Sequence, residues 1–189
     1  VMDAVAYILF GAFLMLVLGY LKTRYLDFPG QGPVDYAAAP GEALDLRRHL
    51  DGPILCEGVI YGPTGRVASR FVGDFEARWD GNHGVMTEHF VYDSGAEQHR
   101  EWQLTLGNDG RIRAQAADVV GEGTGIQSGP TVQLKYRIRL PEDSGGHVLN
   151  TTDWMYLAPN GTIVNRSQFR KYGIKVAELV ATMRRKEPV

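Results

Sequence analysis

The sequence predicts a mainly β protein: an antiparallel up-and-down β-barrel with a transmembrane helix before it and a C-terminal helix after it. Three observations carry this. Residues 4 to 21 (AVAYILFGAFLMLVLGYL) are free of charge, long enough for a membrane-spanning helix. From about residue 54 the apolar period becomes two, the mark of half-buried strands. Turn signals recur between these runs, which favours tight hairpins.

The first element is the anchor, residues 1–24. Tyr7 and Tyr20 lie near its ends, where aromatic rings favour the headgroup layer. A cleaved signal peptide needs a basic start and a small-residue cleavage site. Here only Asp3 precedes the run, and Tyr20-Leu21-Lys22 supplies no such site. A retained single-pass helix in a bacterial inner membrane is therefore expected. Lys22 and Arg24 follow the run, so the flanking charges favour a cytoplasmic domain.

Residues 25–41 are rich in proline and glycine without an apolar period and read as a linker. The barrel domain is expected over 42–189. It opens with one or two helical turns carrying Leu44, Leu46 and Leu50, stopped by Gly52-Pro53.

The strands follow. Between 131 and 140, Val132, Leu134, Tyr136, Ile138 and Leu140 share one face, while Thr131, Gln133, Lys135, Arg137 and Arg139 share the other, expected to be wet. Phe71, Phe75 and Trp79 align in the same way, as do Trp102, Leu104 and Leu106. Gly62 to Gly65, Asp80-Gly81-Asn82, Asn108-Asp109-Gly110 and Asn160-Gly161 are among the turns that separate the runs. Counting between turns gives about eight to ten strands. Val176, Leu179, Val180 and Met183 recur at helical spacing, which predicts the C-terminal helix packed on the barrel. Its basic end, Arg184 to Lys186, complements the helix terminus or touches anionic headgroups.

Composition excludes several functions. Net charge is −2 with both signs scattered, unlike the basic stripe of a nucleic-acid surface. The one cysteine, Cys56, rules out an internal disulfide and a cysteine-rich zinc site. No nucleophile elbow, P-loop, zinc-protease or dinucleotide motif is present. No cofactor and no catalytic residue are assigned. The five histidines lack shared ligand spacing, although His89 and His99 are placed to meet across a hairpin; no metal site is assigned.

The informative residues are polar ones on apolar faces. Glu88 shares parity with Met86 and Phe90, Asp118 with Ile112 and Ala114, and Asn165 with Ile163 and Phe169. Buried carboxylates must be paired, hydrogen-bonded or protonated, and Arg166, Tyr136 and Asp153 are candidate partners. An apolar cavity with a few convergent polar groups is the usual small-ligand site. The candidate cavity residues are Glu88, Trp102, Asp118, Tyr136, Trp154, Tyr156, Asn165 and Arg166. A satisfied network closing a solid barrel is the competing reading. Catalysis by Glu88 or Asp118 as general base is a third, and needs a perturbed carboxylate.

Ala117 to Gly121, Asp153 to Leu157, Ile163 to Arg166 and Phe169 to Val176 together resemble a proteobacterial family, domain-of-unknown-function family 3833. Leu46 to Gly52 and Phe90 to Asp93 fit its earlier blocks. The resemblance spans about residues 44 to 185. It implies a lipocalin-like barrel, a periplasmic location, and a link to lipid-modifying enzymes and hence a lipid ligand. Many members are lipoproteins, whereas here a transmembrane helix replaces the lipid-bearing cysteine.

The function expected is a membrane-tethered binding protein for a lipid or other small apolar ligand, connected with membrane-lipid modification. The alternative is a non-catalytic accessory subunit of a larger membrane complex. A cavity of roughly 300 Å³ or more favours binding, and a packed barrel favours the subunit.

Replacing both Leu14 and Leu16 with Lys should release the protein from membranes. Each charge near the middle of the span costs about 2.5–3.5 kcal/mol. Sedimentation of the double variant with the membrane fraction would contradict the anchor reading.

Overall fold

In the computed structural model, which describes residues 2–186, ten strands form a closed antiparallel barrel. Val1 and the last three residues of the expected barrel domain lie outside the described residues. The strands are β1 (Gly52–Tyr61), β2 (Val67–Asp80), β3 (His83–Tyr92), β4 (Glu97–Leu106), β5 (Arg111–Gln115), β6 (Gly123–Ser128), β7 (Thr131–Arg139), β8 (Val148–Leu157), β9 (Ile163–Lys171) and β10 (Ile174–Arg185). Each pairs with its neighbours in sequence, and β1 pairs with β10 to close the ring. This is the up-and-down order that tight hairpins dictate.

Strand alternation sorts the residues as expected along β2 and β4. At the start of β7 Thr131 and Gln133, expected on the wet face, are buried as well, because the outer wall there is covered. Phe71, Phe75, Trp102, Leu104, Val132, Leu134 and Tyr136 are buried in one core. Interior glycines make room for the rings. A Cβ at Gly73 would lie 2.6 Å from Cε1 of Phe75, and one at Gly58 2.5 Å from Cζ of Phe71. The Phe71 and Phe75 rings occupy the space that side chains at Gly58 and Gly73 would fill.

One end of the barrel is plugged. The short helix α2 (Leu46–His49) is capped by Asp45, whose side chain accepts from the Arg47 amide. It carries Leu44, Leu46 and Leu50 into the core, all at most 2% exposed. The Trp79 indole donates to the Leu50 carbonyl at 2.7 Å and fixes the plug to β2.

The C-terminal helix expected from sequence is not formed; residues 174–185 are strand β10. The register slips between Lys175 and Ala177, so the apolar residues before and after this bulge fall out of period two. This mimics helical spacing. Beyond it Leu179, Ala181 and Met183 alternate inward. The preceding turn is Tyr172-Gly173, with both residues at positive φ (53° and 81°), the geometry that suits a two-residue hairpin. The basic end is held along the wall rather than presented by a helix. Arg184 pairs with Glu57 at 3.0 Å, Arg185 lies 3.7 Å from Asp51, and Lys186 pairs with Asp74.

The expected linker is not a free tether. Phe28–Gly30 and Pro33–Tyr36 form short 3₁₀ turns strapped across the outer wall. The Ser128 hydroxyl donates to the Pro33 carbonyl at 2.6 Å. Gln31 Oε1 accepts from the hydroxyls of Tyr36 and Tyr156 at 2.6 and 2.9 Å. Ahead of the strap, helix α1 (Met2–Tyr25) is long and apolar enough to cross a membrane, a test that a signal sequence also passes.

Trp154 is fully buried between this strap and the barrel wall. Trp154→Ala should therefore cost about 3–5 kcal/mol of stability, read as a lowered denaturant midpoint. An unchanged midpoint would mean that the strap does not pack there in solution.

Candidate functional site

The interior holds a cavity of about 110 Å³. Its lining is mostly apolar and includes three methionines, Met86, Met155 and Met183. Into this lining project Glu88 from β3, Arg100 from β4, Tyr136 from β7, Asp153 from β8 and Asn165 from β9.

Two polar clusters result. The first forms because Glu88 and Arg100 are directly opposed across the β3–β4 ladder. The Arg100 guanidinium lies 4.0 Å over the Trp102 ring and 5.7 Å from the Tyr136 ring centre. Its Nε donates to Asp118 Oδ1 at 3.0 Å. Burial pushes the Glu88 carboxyl up to about 7, against the pull of Arg100 and reinforced by Asp153 and Asp118. Glu88 Oε2 and Arg100 Nη2 are both buried without a hydrogen-bond partner. Such groups carry a desolvation cost that a ligand can relieve. A carboxyl poised near neutrality can also exchange a proton with a bound molecule.

The second cluster is self-satisfied. Asp153 Oδ1 accepts from the Asn165 amide and, at 3.0 Å, from the Ser167 hydroxyl. Burial raises the Asp153 pKa, and those two donors work against the rise. Burial also pushes the Cys56 thiol far up, so it remains a protonated wall residue.

The wall beside Arg100 is incompletely sealed. The β4–β5 ladder runs only from Gln103↔Gln115 to Leu106↔Ile112. Residues 97–102 of β4 thus lack a strand partner on that side. The chain from 116 to 122 turns away to β7, through a bridge between Val119 and Ile138 and an Arg139 amide donating to the Asp118 carbonyl at 2.8 Å. The Arg100–Asp118 ion pair spans the gap. Outside it lies an open groove of about 800 Å³, which shares Glu88 and Arg100 with the inner cavity.

Of the eight candidates from sequence, Glu88, Trp102, Tyr136 and Asn165 face the cavity. Asp118 sits instead on the rim of the gap, lining the outer groove. Strand β5 ends at Gln115, so its parity does not carry to residue 118. Trp154, Tyr156 and Arg166 are on the outer wall. Trp154 lies between inward-facing Asp153 and Met155, and Tyr36 of the strap packs edge-on against it at 5.2 Å. Arg166 pairs with Glu178 at 2.5 Å and covers the Phe28 ring at 4.9 Å. The strap buries Trp154 and half-buries Tyr156, while Arg166 stays exposed over it; none of the three faces a ligand space.

Arg100 is the candidate site residue that sequence reasoning missed. The signal was available: it shares parity with Trp102, Leu104 and Leu106, one step beyond the residues read as strand. Its charge, flanked by His99 and Glu101, made the segment look solvated.

With this geometry in view, a family model described as protein of unknown function (DUF3833) matches residues 28–185. The chain belongs to this family. The match begins at Phe28 and so takes in the strap as well as the barrel. No curated protein matches the chain significantly in sequence. Two similar solved structures are the S-type phycobiliprotein lyase CPES from Guillardia theta and Rv2717c from M. tuberculosis. The first has a TM-score of 0.55 and 9% identity, covering 75% of this chain and 91% of the lyase. The second has a TM-score of 0.55 and 14% identity, covering 78% of this chain and 100% of that one. At these identities the likeness establishes a lipocalin-like barrel fold.

The raised Glu88 pKa makes stability depend on pH. The folded state holds this proton up to about pH 7, whereas the unfolded chain releases it near 4.5. The contribution is complete below 4.5 and lost as pH rises towards and through 7, a change on the order of 3 kcal/mol. Glu88→Gln keeps a neutral side chain throughout. Its denaturant midpoint should fall less steeply between pH 4.5 and 7, and equal slopes in variant and wild type would show Glu88 to be solvated.

Proposed function

We propose that this DUF3833 protein is a membrane-tethered binding protein for a small apolar molecule bearing an anionic or hydrogen-bonding end, with a membrane lipid as the ligand within reach. The observation that carries this is the Glu88–Arg100 pair. Both side chains keep an unpartnered buried atom at the wall of an otherwise apolar cavity. A carboxylate or phosphate oxygen on Arg100, or an oxygen or hydroxyl on protonated Glu88, would supply the missing hydrogen bonds. The barrel fold is compatible with small-ligand binding, and α1 supplies the tether.

The cavity sets the mode of binding. At about 110 Å³ it has room for roughly four waters at ~30 Å³ each, not for a whole lipid. The ligand would place its polar end at Arg100 and extend into the outer groove, with a short apolar segment inside. Deeper entry would require the three wall methionines to rearrange, and unbranched methionine is the side chain best suited to that.

The small cavity also favours a second reading. Ligand pockets usually enclose about 300–1,000 Å³, and a nearly solid barrel fits an accessory subunit whose outer wall is its interface.

Mass spectrometry of organic extracts from the full-length protein, purified from its native host in mild detergent, separates the two. The binding reading expects a stoichiometric apolar molecule with an acidic or hydroxylated end. Occupancy should drop about tenfold or more in Arg100→Met, since a charge-assisted hydrogen bond is worth about 1.5–3 kcal/mol. An empty extract from folded protein that elutes within a larger complex would overturn binding in favour of the subunit.

A further inference from the structure

The outer face of the β3–β4 hairpin carries a side-chain cluster independent of the interior. His89 and His99 are directly opposed in the ladder, and their rings stack at 4.3 Å with an interplanar angle of 4°. Glu97 lies two residues before His99 on the same face, and its Oε2 is 2.8 Å from His89 Nε2. One donor atom from each of the three lies within 4.8 Å of the others. On the neighbouring strand Asp74 is opposite His89, but its carboxylate is engaged by Lys186.

We propose that His89, His99 and Glu97 form a binding site for a divalent transition-metal ion of the zinc class. Two imidazoles and one carboxylate select such ions over calcium and magnesium, which prefer all-oxygen shells. Zinc holds nitrogen and oxygen donors at about 2.0–2.2 Å, which brings the donors to about 3.3 Å from one another. The His89–Glu97 contact is already closer than that. Because parallel rings cannot both aim an in-plane nitrogen lone pair at one ion, binding requires the two stacked, partly exposed imidazoles to rotate apart, while the ladder keeps the backbones fixed. A metal also offers a reason for two basic rings and a carboxylate to share one face without a lysine or arginine between them. Three protein ligands leave coordination positions open. His89 and His99 line the outer groove beside the Arg100–Asp118 gap, so a bound ion would be within reach of water or of an anionic oxygen of a molecule lying there. The site does not depend on what the interior binds.

The test is titration of the full-length protein, without a polyhistidine tag and in detergent, with Zn²⁺ by calorimetry and with Co²⁺ by visible absorption. One ion per chain is expected, with a Co²⁺ ligand-field band. His89→Ala and His99→Ala should each weaken Zn²⁺ binding by about tenfold or more through loss of a first ligand. Glu97→Gln should weaken it less, and His147→Ala should leave it unchanged. All four positions are on the barrel surface, and thermal melts confirm folding of each variant. Equal affinity in wild type and the His89→Ala/His99→Ala double variant, or no saturable Zn²⁺ binding by wild type, would overturn the site and identify the cluster as a stacked histidine pair only.

Discussion

The hydrogen bonds between β1 and β10, from Ile54↔Arg185 to Tyr61↔Glu178, close the sheet, and the remaining structure depends on that closure. A sheet edge exposes unpaired backbone groups and invites aggregation. Joining the first and last strands removes both edges at once. It also forces residues 174–185 to be a strand despite their helix-like spacing. The ring that results is filled from within, and Gly58 and Gly73 make room in the wall for the Phe71 and Phe75 rings. The plug of Leu44, Leu46 and Leu50 completes one end.

Closure has a local failure beside β4, and the polar chemistry collects there. Where β5 stops short, Arg100 reaches across to Asp118 and stands in for missing ladder hydrogen bonds. The same arginine faces Glu88 inside. An ion pair at such a breach is conditional in a way that a β ladder is not. Its charges can be re-partnered by an incoming anion, whereas backbone groups have no equivalent substitute. The gap, the groove outside it and the unpartnered atoms beneath are therefore parts of one arrangement. Inner cavity and outer groove meet at two residues, Glu88 and Arg100.

The opposite wall is sealed by a different device. Gln31 and Tyr36 cover Trp154 and Tyr156, Arg166 lies over Phe28, and the family match starts at Phe28. The strap belongs to the barrel's packing, so a chain leaving α1 meets the barrel wall within a few residues. His89 and His99 line the groove, which lies away from the strap.

Period-two alternation and turn chemistry were enough to read the barrel, its up-and-down order and the inward placement of Glu88, Trp102, Tyr136 and Asn165. Alternation is a local property that an uninterrupted strand carries over its whole length. It failed where backbone geometry departs from that condition. The strand break after Gln115 moved Asp118 to the rim, and the bulge near Val176 disguised β10 as a helix. Trp154, Tyr156 and Arg166 read as interior residues, yet a strand has two faces: these lie on the outer one, where the strap buries Trp154 and Arg166 stays exposed. No local pattern distinguishes an apolar wall facing a core from one facing a strap. The sequence by itself determined the apolar helix, the strands and their hairpins, since these follow from short-range spacing. Only the tertiary structure decided which face the strap covers, where the ring leaves a gap, and that Arg100, Glu88 and Asp118 meet there, because those outcomes depend on contacts between segments far apart in the chain.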